Sequence, residues 1–83
     1  MAISRAEKRL LRALTRLSEN EGALERQNDG HYHASKEGKV YTRLRIEEVK
    51  NAIARGLLQS QRDQSLMPTK QAKTWIMRKT TPD

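Results

Sequence analysis

Hydrophobic residues near the start of the chain recur every three or four positions. This spacing places one set of side chains on a single side of a helix, namely Leu10, Leu14 and Leu17. Ser4 and Glu7 precede that set with the spacing of a capping box, which predicts a helix that begins here and runs to about Glu19. Arginine and lysine residues occupy the opposite side of the same helix.

A second stripe of the same period consists of Ile46, Val49 and Ile53. It predicts a short helix in which these three side chains face the protein interior. Gly56 follows and is expected to end the helix in the left-handed conformation that glycine adopts without steric cost.

The segment between these two helices has the composition of strands and turns. Residues 23–27 and 31–35 flank Asn28-Asp29-Gly30, whose residues tolerate a positive φ, so a hairpin is predicted. Residues 36–39 form a second turn, and residues 40–44 are rich in side chains that favour strands. A short helix within residues 40–44 is the alternative.

The last third of the chain predicts a second hairpin and a third helix. Two short apolar runs, residues 57–58 and 66–67, enclose a polar stretch of the kind found in hairpin turns. Thr69 is placed to cap the helix that follows, and Trp75 and Ile76 supply its apolar side. Because the chain has no Phe and one Trp, we expect Trp75 to lie in the core.

This order of elements, with Ala52–Leu58 (AIARGLL) and Leu66–Thr69 (LMPT) followed by Trp75 and Arg78, resembles a bacterial winged-helix DNA-binding domain. The closest resemblance is to the N-terminal module of alphaproteobacterial gene-transfer-agent activators. In that family the recognition helix leads into a Gly-Leu pair, the wing follows, and a strand ending in Leu-Thr precedes the closing helix.

The resemblance implies a small α+β fold: one winged-helix-like domain over residues 1–83, in the order helix, hairpin, helix, hairpin (the wing), helix. Residues 80–83 are expected to form a frayed tail. No convincing helical period precedes Ile46, so the pattern lacks the helix that would complete a helix-turn-helix. The implied function is the DNA-binding domain of a transcription regulator.

The charge of the chain changes this picture most. Seventeen basic and ten acidic residues give a net charge of +7 at pH 7, and so strong a field on a small domain indicates a polyanionic partner.

The absence of cysteine favours a reducing compartment. No apolar run approaches the roughly 18 residues of a membrane span, and the N-terminus lacks a signal peptide. We therefore expect a cytoplasmic protein without a membrane partner.

Two groups of side chains are the candidates for contact with double-stranded DNA. Phosphate contacts are predicted for Arg5, Arg9, Arg12, Arg16, Arg62, Lys70 and Lys73. Base readout is predicted for Lys50, Asn51 and Arg55, on the outward side of the second helix. We expect the arginines of the first helix and the lysines that open the last helix to lie side by side in one cationic surface. The competing interpretation is a solvated helix face.

The sequence contains no motif for catalysis: it has no phosphate-binding glycine loop and no nucleophile elbow. We predict that the protein is not an enzyme and uses no cofactor. Asp29, His31 and His33 could supply metal ligands, but a structural zinc site needs four, so no metal site is predicted. The alternative function is a protein-interaction module that docks on an acidic face of RNA polymerase or another regulator. The oligomeric state is not predicted.

Overall fold

The computed structural model describes residues 4–80, which form three helices and two antiparallel sheets in a small α+β fold. The elements are α1 (Arg5–Asn20), β1 (Glu25–Arg26), β2 (His31–Lys36), β3 (Lys39–Arg45), α2 (Ile46–Ala54), β4 (Leu58–Ser60), β5 (Leu66–Pro68) and α3 (Lys70–Thr80). The predicted frayed tail comprises residues 80–83. Thr80 is instead the last residue of α3, and residues 81–83 lie outside the part of the chain that the structure describes. No helix within residues 4–80 is long and apolar enough to cross a bilayer.

The first helix begins where the capping signal predicts. The Ser4 side chain accepts a hydrogen bond of 3.1 Å from the Glu7 backbone N–H, which satisfies one of the free donors at the helix N-terminus. The helix ends at Asn20, and its C-cap Glu21 adopts a left-handed conformation with φ of 50°. The predicted buried side is confirmed, since Leu10, Leu14 and Leu17 all lie in the core.

The segment after α1 forms a three-stranded sheet in the order β1-β2-β3, so β3 is an edge strand. Residues 40–44 therefore belong to a strand and the alternative of a short helix is wrong. A bulge between Ala34 and Ser35 interrupts the pairing of β2 with β3. On one face of the sheet Ala34 and Leu44 are buried against the core, because successive side chains of a strand point to opposite faces.

The prediction for the buried side of α2 is wrong at one position. Val49 and Ala52 are buried, whereas the Ile53 side chain is 46% exposed. Val49 and Ala52 lie one turn apart and define the side that faces the core. Residue 53 is turned about 100° further around the helix axis, which carries its side chain toward solvent.

The second hairpin is joined to the first sheet through Leu24 and Leu66, whose backbones exchange hydrogen bonds of 2.7 and 2.9 Å. Thr69 caps α3 as predicted, since its side-chain oxygen accepts a 3.1 Å bond from the Ala72 N–H. The same hydroxyl donates to the Gly56 carbonyl at 2.6 Å. Trp75 is only partly buried and packs against the edge of the core, so the prediction of a core tryptophan is wrong.

Candidate nucleic-acid interface

A groove of about 300 Å³ runs between α1 and the edge strand β3. Its lining residues are Arg5, Lys8, Arg9, Arg12, Ala13, Arg16, Tyr41, Thr42, Arg43 and Leu44. Six of these carry a positive charge, and none of the described lining residues is acidic. The groove therefore concentrates a third of the chain's 17 basic residues along one helix and one strand.

The two walls of the groove are joined near the C-terminal end of α1. The Arg16 guanidinium donates a 2.9 Å hydrogen bond to the Tyr41 carbonyl oxygen, which holds the edge strand against the helix. Gly22 lies so close to the Tyr41 hydroxyl that a Cβ at this position would overlap it. Partial burial raises the pKa of Tyr41 above its ordinary value, so the hydroxyl stays neutral at physiological pH.

One cation of the groove is also engaged by an acid from outside it. Arg9 Nε lies 3.0 Å from Glu48 Oε2, and Glu48 Oε1 accepts a 3.0 Å bond from the Arg45 backbone N–H. The hydrogen bond to Glu48 raises the pKa of Arg9. Desolvation alone would raise the pKa of Glu48, but the hydrogen bonds from Arg9 and Arg45 outweigh it and leave that pKa below its usual value. Glu48 is therefore an anion that offsets part of the Arg9 charge.

The acid that interrupts the basic stripe in the sequence does not reach the groove. Glu7 lies 3.5 Å from Arg55 and 3.5 Å from Lys79, so its carboxylate ties α1 to the end of α2 and to α3. The fold in this way directs Glu7 toward α2 and α3, away from the groove, and leaves Glu48 as the acid that pairs with the arginine row, at Arg9.

The prediction that the arginines of α1 and the lysines of α3 lie side by side in one cationic surface is wrong. Lys73 lines a different hollow, beside Leu17, Ser18 and Glu21 of α1, and neither Lys70 nor Lys73 lines the groove. The physical reason is that α3 packs along the flank of α1 that carries Glu7 and Ser18, while the arginines project from the flank beside β3.

The three residues predicted for base readout divide into two groups. Lys50 and Asn51 are exposed on α2, as expected. Arg55 instead stacks on Trp75, with its guanidinium carbon 5.1 Å from the ring centroid, and bonds to Glu7. Arg55 follows the last turn of α2, and these contacts link it to α3 through Trp75 and to α1 through Glu7.

Arg62, predicted as the wing contact, is exposed in the turn between β4 and β5. Its neighbour Asp63 accepts bonds from the Ser65 hydroxyl and N–H, at 2.6 and 3.0 Å. The bond from the Ser65 hydroxyl is the main cause that lowers the pKa of Asp63, and the bond from the Ser65 N–H lowers it further. The carboxylate therefore remains charged beside Arg62. The turn therefore has a fixed shape and carries one charge of each sign.

Sequence reasoning missed the contribution of β3. Arg43 lines the groove opposite the arginine row, and Tyr41 supplies the acceptor for Arg16. The available signal was the alternation within residues 39–45, which places basic side chains at positions 39, 43 and 45. That signal identifies the charged side of the strand but not the helix beside which it lies.

Asp29, His31 and His33 lie together at the start of β2, yet across residues 4–80 no group of three or more His, Cys, Asp or Glu side chains is arranged to hold a metal ion.

Comparison with known proteins gives no match to a family model, to a curated protein or to a solved structure.

Proposed function

We propose that this chain is a double-stranded DNA-binding domain of a bacterial transcription regulator, and that it holds the sugar-phosphate backbone in the groove between α1 and β3. The order of helices and hairpins supports a winged-helix-like domain, with the β4–β5 hairpin in the position of the wing. In this arrangement α1 contributes more to binding than the helix that such domains insert into the major groove.

The groove is the observation that carries the proposal. Arg5, Arg9, Arg12 and Arg16 extend over about 16 Å of helix at 1.5 Å per residue. A duplex carries one phosphate per about 3.4 Å of axis on each strand, so the row spans about five phosphates. Arg43 faces the same groove from β3. Release of the counterions of those phosphates supplies most of the affinity, independent of sequence.

Base discrimination in this proposal is limited. Lys50 and Asn51 are exposed on α2 and have the side chains that bond guanine and adenine edges in the major groove. Glu47 and Glu48 at the start of the same helix repel phosphates, which restricts how closely α2 approaches the duplex. Arg62 would contact the backbone or the minor groove from the hairpin turn.

The salt dependence of binding to a fluorescent duplex tests the proposal. For about five phosphates, log K should fall against log salt with a slope of about −4.5, at about −0.9 per phosphate. Arg12→Ala removes one groove cation and should weaken binding to all duplexes alike, reducing the slope by about 1. Lys70→Ala removes an equal charge outside the groove and is the matched control, with little change expected.

A slope near zero, or equal losses in Arg12→Ala and Lys70→Ala, would contradict the assignment of binding to the groove. Asn51→Ala tests the second part of the proposal, because it should reduce the preference for one sequence without changing affinity for unrelated duplexes. An unchanged preference for one DNA sequence would show that Asn51 does not read bases.

A second function, docking on an acidic face of RNA polymerase or another regulator, would use the same groove. Its six cations would complement a negatively charged protein surface as well as a phosphate backbone. Excess duplex DNA separates the two functions: it should displace a labelled oligonucleotide from a DNA-binding domain and leave a protein complex intact.

A further inference from the structure

A second cavity, of about 430 Å³, lies between the end of α2 and one side of α3. Its lining residues are Arg55, Leu57, Gln71, Thr74, Trp75 and Arg78. We call it the tryptophan pocket. Its volume falls within the range of pockets that bind small molecules. It shares no lining residue with the groove, so the two surfaces can be tested separately.

The pocket is formed by the contact between one side of α3 and the end of α2. Spacings of three and four place four of its residues on the same side of the helix, namely Gln71, Thr74, Trp75 and Arg78. The Gln71 amide donates a 3.0 Å hydrogen bond to the Arg55 carbonyl oxygen, which holds the end of α2 against α3. Leu57 is buried and Trp75 is partly buried, so these two side chains supply the apolar part of the lining.

Both charged residues of the lining are arginines, and none of its described residues is acidic. Arg55 lies with its guanidinium carbon 5.1 Å from the Trp75 ring centroid and donates one 3.5 Å bond to Glu7. A guanidinium has five N–H donors, so most of them remain for a ligand. The Arg78 side chain is exposed and has no ion pair or hydrogen bond within residues 4–80.

This combination of side chains has the chemistry of a site for an organic phosphate. A guanidinium binds phosphate oxygens through two parallel hydrogen bonds, and its contact with a ring fixes its plane before the ligand arrives. A phosphate monoester offers three oxygens and up to two negative charges, which matches two arginines better than a single carboxylate does. The apolar lining beside the arginines suits a flat ring joined to that phosphate.

We propose that the tryptophan pocket binds a mononucleotide, with the phosphate between Arg55 and Arg78 and the base against Leu57 and Trp75. Arg78 belongs to α3 and Arg55 follows α2, so the phosphate would bridge the two elements that form the pocket. The proposal goes beyond DNA binding and does not depend on it, because none of its residues lines the groove.

Titration with adenosine monophosphate in phosphate-free buffer tests the proposal. Trp75 is the only tryptophan of the chain, so its fluorescence and the NMR signal of its indole N–H both report on this pocket. Both signals should change and saturate together. Adenosine alone and inorganic phosphate alone should each bind at least about tenfold more weakly, because each makes only part of the contacts.

Two variants of the lining should weaken the binding of adenosine monophosphate. Arg78→Gln removes an arginine that has no described partner and should lower affinity about tenfold. Arg55→Lys keeps the charge but not the paired donors, and should lower affinity several-fold. Arg62→Gln is the matched control, since it removes an exposed arginine outside the pocket and should leave affinity unchanged. Circular dichroism confirms that each variant is folded.

Three results would overturn the proposal. The first is the absence of a saturable change in both Trp75 signals. The second is an equal loss in Arg78→Gln and Arg62→Gln, which would show a general attraction of the nucleotide to a cationic protein. The third is binding of adenosine or of inorganic phosphate as tight as that of the nucleotide.

A duplex added in place of the nucleotide distinguishes the two sources of a phosphate group. A change in Trp75 fluorescence on adding duplex that is lost in Arg78→Gln would assign the pocket to DNA and contradict a mononucleotide site. Arg12→Ala should weaken duplex binding and leave the affinity for adenosine monophosphate unchanged. Absence of duplex binding alone would contradict the proposed function and not the tryptophan pocket.

Discussion

Arg9 and Glu48 lie 39 residues apart in the chain and are joined by two hydrogen bonds, of 3.0 and 3.3 Å, between α1 and α2. The pair links the groove to the start of the helix that carries the candidate base-reading residues. Arg9 therefore has two roles, as a lining cation and as the partner that fixes Glu48. The other lining arginines of α1 are not paired with a carboxylate among the interactions of residues 4–80.

Glu48→Gln should lower stability at neutral pH by about 0.5–1 kcal/mol, since it removes the charge of the Glu48 side chain, which is 19% exposed, from its pair with the half-exposed Arg9 and keeps its shape. The lowered pKa of Glu48 means that its stabilisation is present above the unfolded-state pKa and is lost as pH falls through the folded-state pKa. Urea unfolding of both proteins from pH 7 to pH 3 should show the difference shrink toward zero.

Glu47→Gln is the matched control, because Glu47 is the exposed neighbouring acid at the same helix start. It should change stability less, and with weaker dependence on pH. The same two variants predict DNA affinity: Glu48→Gln should bind a duplex more tightly than Glu47→Gln, since it frees Arg9. Equal dependence of the unfolding free energy on pH in the two variants would show that the Arg9–Glu48 pair stabilises the fold no more than the exposed Glu47 does.

Gly22→Ala should destabilise the fold by about 1–3 kcal/mol, because the added methyl group overlaps the Tyr41 hydroxyl and pushes β3 away from α1. Tyr41→Phe removes that oxygen and should cost little by itself. In the double variant the loss should be partly restored, which a cycle of thermal or urea unfolding measurements detects. Strict additivity of the two substitutions would contradict the close approach of Gly22 to Tyr41.

Thr69→Ala should cost about 1–2 kcal/mol, because Thr69 caps α3 and also holds the carbonyl of Gly56 at the end of α2. Thr69→Ser keeps both hydrogen bonds and should retain most of the stability. The urea midpoints of the two variants make the comparison. A serine variant as unstable as the alanine variant would show that the methyl group, rather than the hydroxyl, secures this junction.

Arg55→Ala should lower stability by about 0.5–2 kcal/mol through loss of its contact with Trp75, and it should alter the fluorescence of the chain's single tryptophan. Arg55→Lys keeps a cation near the ring and should have a smaller effect. Sequence preference for DNA should be unchanged in both folded variants. A loss of preference for one site in the folded variants would show that Arg55 reads bases in spite of these contacts.

Local signals in the sequence predicted much of the fold. Ser4 and Thr69 cap helices as their positions indicated, because a cap depends only on residues three positions away. The strand character of residues 40–44 was expected from side-chain type. What local pattern could not determine was rotation and packing: Ile53 has the spacing of a buried residue and lies in solvent.

The candidate site was predictable only in part for the same reason. The arginine row of α1 is visible as a helical period, but its partner depends on tertiary packing. The chain places Arg43 beside that row and Lys73 on another flank of the helix. Because Arg43 and Lys73 carry the same charge, the sequence alone could not show which of them lies beside the arginine row. The contact of Arg55 with Trp75, 20 positions later, could not be inferred from spacing.

Binding of the duplex in the groove between α1 and β3 can be observed by titrating ¹⁵N-labelled protein with a short duplex and following the backbone amide and arginine Nε signals. The largest shifts should belong to Arg5, Arg12, Arg16 and Arg43, with smaller shifts at Lys50 and Asn51 and none at Lys73. Shifts confined to α2 and α3, or a spectrum unchanged by the duplex, would contradict binding in this groove.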